Sequence, residues 1–154
     1  MRVDAEHARE SRVDRISMEE RVVAETQKVN PWAWQDQYGF SQAIDVRGSQ
    51  RTVFCAGQTS VDGDGTPMHA GDMVKQINQA LDNLEVVLKQ AGLTLANVVR
   101  LNYYTTDVVA FLNAVAAVGP RMAASNCQPA STLLGVASLF HPDILIEIEA
   151  TAVA

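Results

Sequence analysis

The strictest pattern in this chain lies at its C-terminal end. Ile144, Ile146, Ile148, Ala150 and Ala152 fall on one face of an extended segment, and Leu145, Glu147, Glu149, Thr151 and Val153 on the other. The alternation predicts a strand over residues 144–153 whose first face is core. It also sets two carboxylates on the second face, about 7 Å apart by the strand rise. A helical period appears upstream: Met73, Ile77, Ala80, Leu81, Leu84, Val87, Leu88 and Ala91 recur at spacings of three and four, with Asp72 placed to cap the start and Gly92 to close the end. Asn97 to Thr105 is rich in β-branched and aromatic residues and predicts a strand. Asp107 can cap a second helix from Val108, which must end, kink or restart at Gly119-Pro120. Ser131 to Leu139 predicts a further strand, with a turn at His141-Pro142-Asp143. Nearer the N-terminus, Phe40 to Val46 and Arg51 to Ala56 predict a β-hairpin turning at Arg47-Gly48-Ser49-Gln50. The order β-β-α-β-α-β-β gives an α+β fold, a mainly antiparallel mixed sheet backed on one side by two helices.

Charge divides the chain in two. Of 30 charged residues among 154, 13 lie between Arg2 and Lys28 and only 17 in residues 31–154. Residues 1–20 form a charged leader with too little apolar surface to offset its ordering entropy, and Met18 would also serve as a translation start. Residues 21–154 form a single domain, with a length suited to one core. Residues 31–154 hold six basic and eleven acidic side chains, a net of −5, so no basic stripe exists to follow a phosphate backbone and nucleic-acid binding is not expected. With so few charges, the second face of the sheet is expected to be covered by another subunit. No apolar run is long enough to span a membrane and no compact apolar signal segment opens the chain, which reads as cytoplasmic.

Candidate chemistry is sparse. Cys55 and Cys127 lie in no redox, zinc or haem spacing and read as buried small hydrophobes; His7, His69 and His141 are isolated, so no metal site is indicated. Asp62-Gly63-Asp64-Gly65 resembles a fragment of a calcium loop but lacks the later Glu at loop spacing. Glu147 and Glu149 are the strongest candidates, because paired carboxylates in a cleft yield an acid or base, whereas on a solvent face they are ordinary decoration. Trp32 and Trp34 read as rings that clamp the N-terminal segment by buried area; the functional alternative is that one walls a cleft.

Several motifs together resemble the Rid family, the YjgF-like reactive-intermediate deaminases. They are Phe54-Cys55-Ala56-Gly57-Gln58, Gln76 with Leu81-Asp82-Asn83, Ala91-Gly92, Pro129-Ala130 and Ile146-Glu147-Ile148-Glu149-Ala150, in this order over about three quarters of the chain. The resemblance implies a YjgF-like (chorismate-mutase-like) fold, a homotrimer with small-molecule clefts at subunit interfaces, and cofactor-free hydrolysis of imines and enamines to a carbonyl compound and ammonia. It implies Glu147 as the catalytic carboxylate associated with water, and Gly57 as a backbone contact to substrate. The family's carboxylate-gripping arginine is replaced by Ser131, Phe40 stands where a tyrosine is usual, and Ala56 where a serine commonly precedes Gly-Gln. Asn30-Pro31-Trp32-Ala33-Trp34 and Gly39-Phe40-Ser41-Gln42-Ala43 resemble a branch without the arginine. Loss of the guanidinium fork removes bidentate recognition of a carboxylate. The expected activity is therefore hydrolysis of imines, enamines or related carbonyl adducts that lack an essential α-carboxylate, with Phe40, Ala56, Gly57, Ser131 and Trp34 shaping the pocket. The competing reading is a non-catalytic trimer that binds a small metabolite. Ribonuclease action, a label attached to the family, fits poorly with the acidic body and the lack of paired histidines.

Overall fold

The computed structural model describes residues 24–154. The charged leader lies outside the described residues. Strands β1 (Glu25–Val29) and β2 (Ala43–Arg47) form an antiparallel ribbon around a 3-10 helix at Trp34–Tyr38; β3 (Thr52–Thr59), α1 (Met73–Gln90), β4 (Val98–Thr105), α2 (Val108–Ala124), β5 (Ala130–Gly135) and β6 (Ile146–Val153) follow. The main sheet runs β3-β6-β4-β5. Its first two pairings are antiparallel and β4-β5 is parallel, as a connection through a helix requires.

The alternation read from the last strand is the core. Ile146, Ile148, Ala150 and Ala152 are buried against Met73, Ile77, Ala80, Leu81, Leu84 and Leu88 of α1, while Glu147 and Glu149 face the other way. Both helix caps are made as expected: Asp72 accepts from the Lys75 amide at 3.0 Å and Asp107 from the Ala110 amide at 2.9 Å. Two polar clasps fix α1 to the sheet. Gln76, fully buried, donates to the carbonyls of His69 (3.1 Å) and Asp143 (2.7 Å) and accepts from the Leu145 amide (2.8 Å). Asn83 donates to the carbonyls of Thr59 and Val61, both at 2.9 Å, and so holds the end of β3. Arg121 joins the two helices through Asp82 and Glu85, each at 2.6 Å.

The structure departs from the sequence reading, or settles what it left open, at four places. The expected hairpin of residues 40–46 with 51–56 is not formed: β2 pairs with β1, and β3 takes β6 as its partner. The sequence hides this because all five positions of β1 are exposed, leaving no alternation to read. Second, of the three outcomes left open at Gly119-Pro120, α2 neither ends nor restarts there but runs on to Ala124, with Val118 packed into the core and Arg121 bound to α1. Third, β5 ends at Gly135 rather than Leu139, and β6 starts at Ile146 rather than Ile144. Fourth, Trp32 and Trp34 are not buried clamps; they are 61% and 55% exposed.

Candidate functional site

Glu147 sits on β6 opposite Thr59 of β3 and Tyr104 of β4. A β-bulge between Cys55 and Gln58 interrupts the β3 ladder beside it, taking Ala56 and Gly57 out of regular pairing. The Glu147 side chain lies directly over Gly57: a β-carbon there would fall 2.6 Å from its Cδ and 2.8 Å from its Cγ. Only glycine leaves that space, so the sequence that makes the bulge also seats the carboxylate.

The same sheet face carries a second polar group. Glu149 accepts from the Asn102 amide at 3.3 Å and from the Tyr104 hydroxyl at 3.2 Å. Desolvation first, then the charge of Glu149, raises the Tyr104 hydroxyl above its ordinary value. Arg100, also on this face, donates to Thr132 Oγ1 at 3.0 Å. It stands opposite Thr151, four ladder positions from the Tyr104–Glu147 pair, about 13 Å along the strands. Asn102 and Tyr104 were missed at the sequence level, although the alternation of residues 98–105 already sets Arg100, Asn102 and Tyr104 on one face.

The six expected site residues do not share one cleft within a chain. Ala56, Gly57 and Glu147 gather at the bulge. Ser131 pairs with Leu101 on the opposite, helix-backed side, and with Trp34 and Phe40 it lines a cleft of about 560 Å³ that Glu147 does not reach. Ser41 makes this second grouping: its amide donates to the Pro129 carbonyl at 2.9 Å and its hydroxyl to the Gln128 carbonyl at 2.8 Å, which stitches Phe40 to the start of β5. Trp34 meets Phe40 edge to face, with centroids 5.8 Å apart.

Other candidates have structural partners. Asp62 accepts from the amides of Asp64 and Thr66 at 2.9 Å, bonds that hold its carboxyl below the usual range, and Arg51 donates to the Ala91 carbonyl at 2.6 Å. Cys55 and Cys127 are buried, as expected, and burial raises both thiols. Among the described residues no group of three His, Cys, Asp or Glu side chains is placed to hold a metal ion, and no helix is long and apolar enough to cross a membrane.

A family model described as Endoribonuclease L-PSP matches residues 33–154. The chain belongs to this family, the YjgF/RutC/Rid family. Its relatives include a RutC family protein of Pyrococcus abyssi, 31% identical over 73% of this chain and 84% of that protein. The human 2-iminobutanoate/2-iminopropanoate deaminase is 33% identical over 74% of this chain and 79% of its own. Among solved structures, a Rid-family protein of unknown function from Yersinia pestis superposes with a TM-score of 0.75 at 34% identity, covering 84% of this chain and 98% of that one. The helix-backed, mostly antiparallel mixed sheet is thus the YjgF-like fold.

Proposed function

We propose that this Rid-family protein hydrolyses small imines or enamines, or related carbonyl adducts, that carry no essential α-carboxylate. The observation that carries the reading is the Glu147 carboxylate held over the open backbone of Gly57. A protonated imine is already electrophilic, so the protein has to orient it, hold a water and move protons. Glu147 accepts a proton from the water as its oxygen bonds to the imine carbon. The proton then passes to the nitrogen of the resulting carbinolamine, the C–N bond breaks, and ammonia leaves as the carbonyl forms. An enamine enters the same sequence after protonation at carbon. The deaminase names among the relatives support this chemistry at the level of the family.

Ser131 supplies no cation, and this favours substrates without a carboxylate. Phe40, Ser131 and Trp34 lie on the other side of the sheet from Glu147, so they complete its cleft from a neighbouring copy, in the trimer that the family resemblance implies. The acidic body weighs against action on RNA despite the family's endoribonuclease label.

Imines generated in situ from several amino acids and from simple amines, assayed with wild type and Glu147→Gln, test the proposal. Wild-type turnover that is lost in Glu147→Gln, with carboxylate-free imines preferred, is the expected result. Equal rates at the level of buffer would overturn it. The alternative, a non-catalytic metabolite-binding trimer, would then be favoured by a metabolite that raises Tm without turnover.

A further inference from the structure

Glu147 and Glu149 stand on one face of β6 with a single residue between them, yet their surroundings differ. The Glu149 carboxylate has two donors, the Asn102 amide at 3.3 Å and the Tyr104 hydroxyl at 3.2 Å, both from β4. Glu147 has no hydrogen-bond donor among the described residues and lies on the β3 side, over Gly57.

The register makes this division unexpected. Cys55 pairs with Ala150 and Gln58 with Ile148, so Ala56 and Gly57 together oppose Glu149, not Glu147. On β4, Asn102 is the partner of Glu149 and Tyr104 that of Glu147. Two side chains therefore cross the rows, as long side chains on diagonal positions can. Glu147 reaches into the place that faces Glu149 on β3, and Tyr104 reaches past its own partner to Glu149. The ground over Gly57 is the open space nearest to Glu149 on that side. Were Glu149 to turn there, it would collide with Glu147 and set two like charges together.

The donors on β4 keep it away. Asn102 leaves its Oδ1 buried without a partner among the described residues while its Nδ2 faces Glu149. Buried acceptors are ordinarily paired, and turning the amide over would set its oxygen against the carboxylate, so Glu149 fixes this orientation. Desolvation, then the charge of Glu149, raises the Tyr104 hydroxyl, which keeps the proton it donates. The Arg100 guanidinium, next along this face of β4, is turned to Thr132 Oγ1 at 3.0 Å.

We propose that Asn102 and Tyr104 are positioning residues for Glu147 that act through Glu149: by drawing Glu149 to the β4 side, they reserve the space over Gly57 for the Glu147 carboxylate. The placement stands on geometry; its consequence for turnover rests on the hydrolase reading above.

Crystal structures and steady-state kinetics of three full-length chains test it: wild type, Asn102→Ala/Tyr104→Phe, and the same pair with Glu149→Ala added. In the double variant Glu149 is expected to turn toward β3 and Glu147 to leave Gly57, with kcat for an imine substrate reduced about tenfold and KM held within about twofold. Removing the Glu149 side chain in the triple variant should return Glu147 to Gly57 and raise kcat at least about fivefold over the double variant, a recovery that general damage to the sheet would not allow. Where the double variant does not fold, Tyr104→Phe with and without Glu149→Ala makes the same comparison, with a first loss of about threefold. The proposal is overturned if Glu147 stays over Gly57 in the double variant, or if Glu149→Ala brings no recovery of its position. Displacement of Glu147 with kcat unchanged would instead overturn its role in hydrolysis. A wild type that hydrolyses no imine likewise counts against the hydrolase reading alone, and the crystal structures then decide the placement.

Discussion

Glu147 and Gly57 are packed so that the acid's side chain occupies the volume a β-carbon would take on the other residue. The orientation of the carboxylate is set by what Gly57 lacks.

Gly57→Ala is expected to push the Glu147 side chain away while leaving the fold intact, because the clash falls on the end of a flexible side chain. Hydrolysis should fall by about tenfold or more, since misplacement on the scale of an ångström removes productive alignment. Denaturant midpoints should move by less than about 1 kcal/mol. Activity and urea unfolding measured on the same preparation separate the two effects.

Gln76 gives the opposite expectation. Its three bonds serve the His69 carbonyl ahead of α1 and, ahead of β6, the Asp143 carbonyl and the Leu145 amide. Gln76→Ala leaves these buried groups unpaired and should cost about 3 kcal/mol. Urea unfolding at neutral pH measures this; a loss under about 1 kcal/mol would show that water replaces the clasp.

Alkaline pH should weaken the fold through Cys127. Burial, then the charge of Glu85, pushes its thiol from 9.0 up to about 12. The folded state keeps the proton while the unfolded chain releases it, so this contribution is complete below about pH 9 and declines between about 9 and 12. The slope from this group is at most about 1.4 kcal/mol per pH unit. Cys127→Ala should flatten the stability profile over that window, as read by urea midpoints at pH 8 and pH 10.

Pro120 lies within α2 and has no amide hydrogen for the Ala116 carbonyl. Pro120→Ala restores that donor and should raise stability by about 1–2 kcal/mol, with Tm as the measurement. An unchanged or lower Tm would mean that the restricted unfolded chain matters more than the lost bond.

Legibility in the sequence followed how local each cause was. The buried isoleucines of β6 and the caps Asp72 and Asp107 were readable because their causes lie within a few residues. The β1-β2 ribbon was not, because Glu25–Val29 buries nothing and its partner was set by long-range competition. The local rule for proline inside helices left the course of α2 beyond Gly119 open, and tertiary contacts from Val118 and Arg121 carry it past Pro120. For the site, spacing alone set Glu147 and Glu149 on one face, while the link to Gly57 came from family resemblance. The aromatic cleft was invisible as a whole because its walls come from widely separated segments and meet only after Ser41 joins Gln128 and Pro129.

The strand order β3-β6-β4-β5 has a consequence for synthesis on the ribosome. The last of the sheet's strands in chain order, β6, fills an interior position, so β3 and β4 lack their shared partner until residues 146–153 have emerged. Until then their edges and the apolar face of α1 are open to wrong neighbours. The fold is therefore incomplete until β6 is free to pair, and a nascent chain stalled before residue 146 would be a client for chaperones rather than a smaller folded protein.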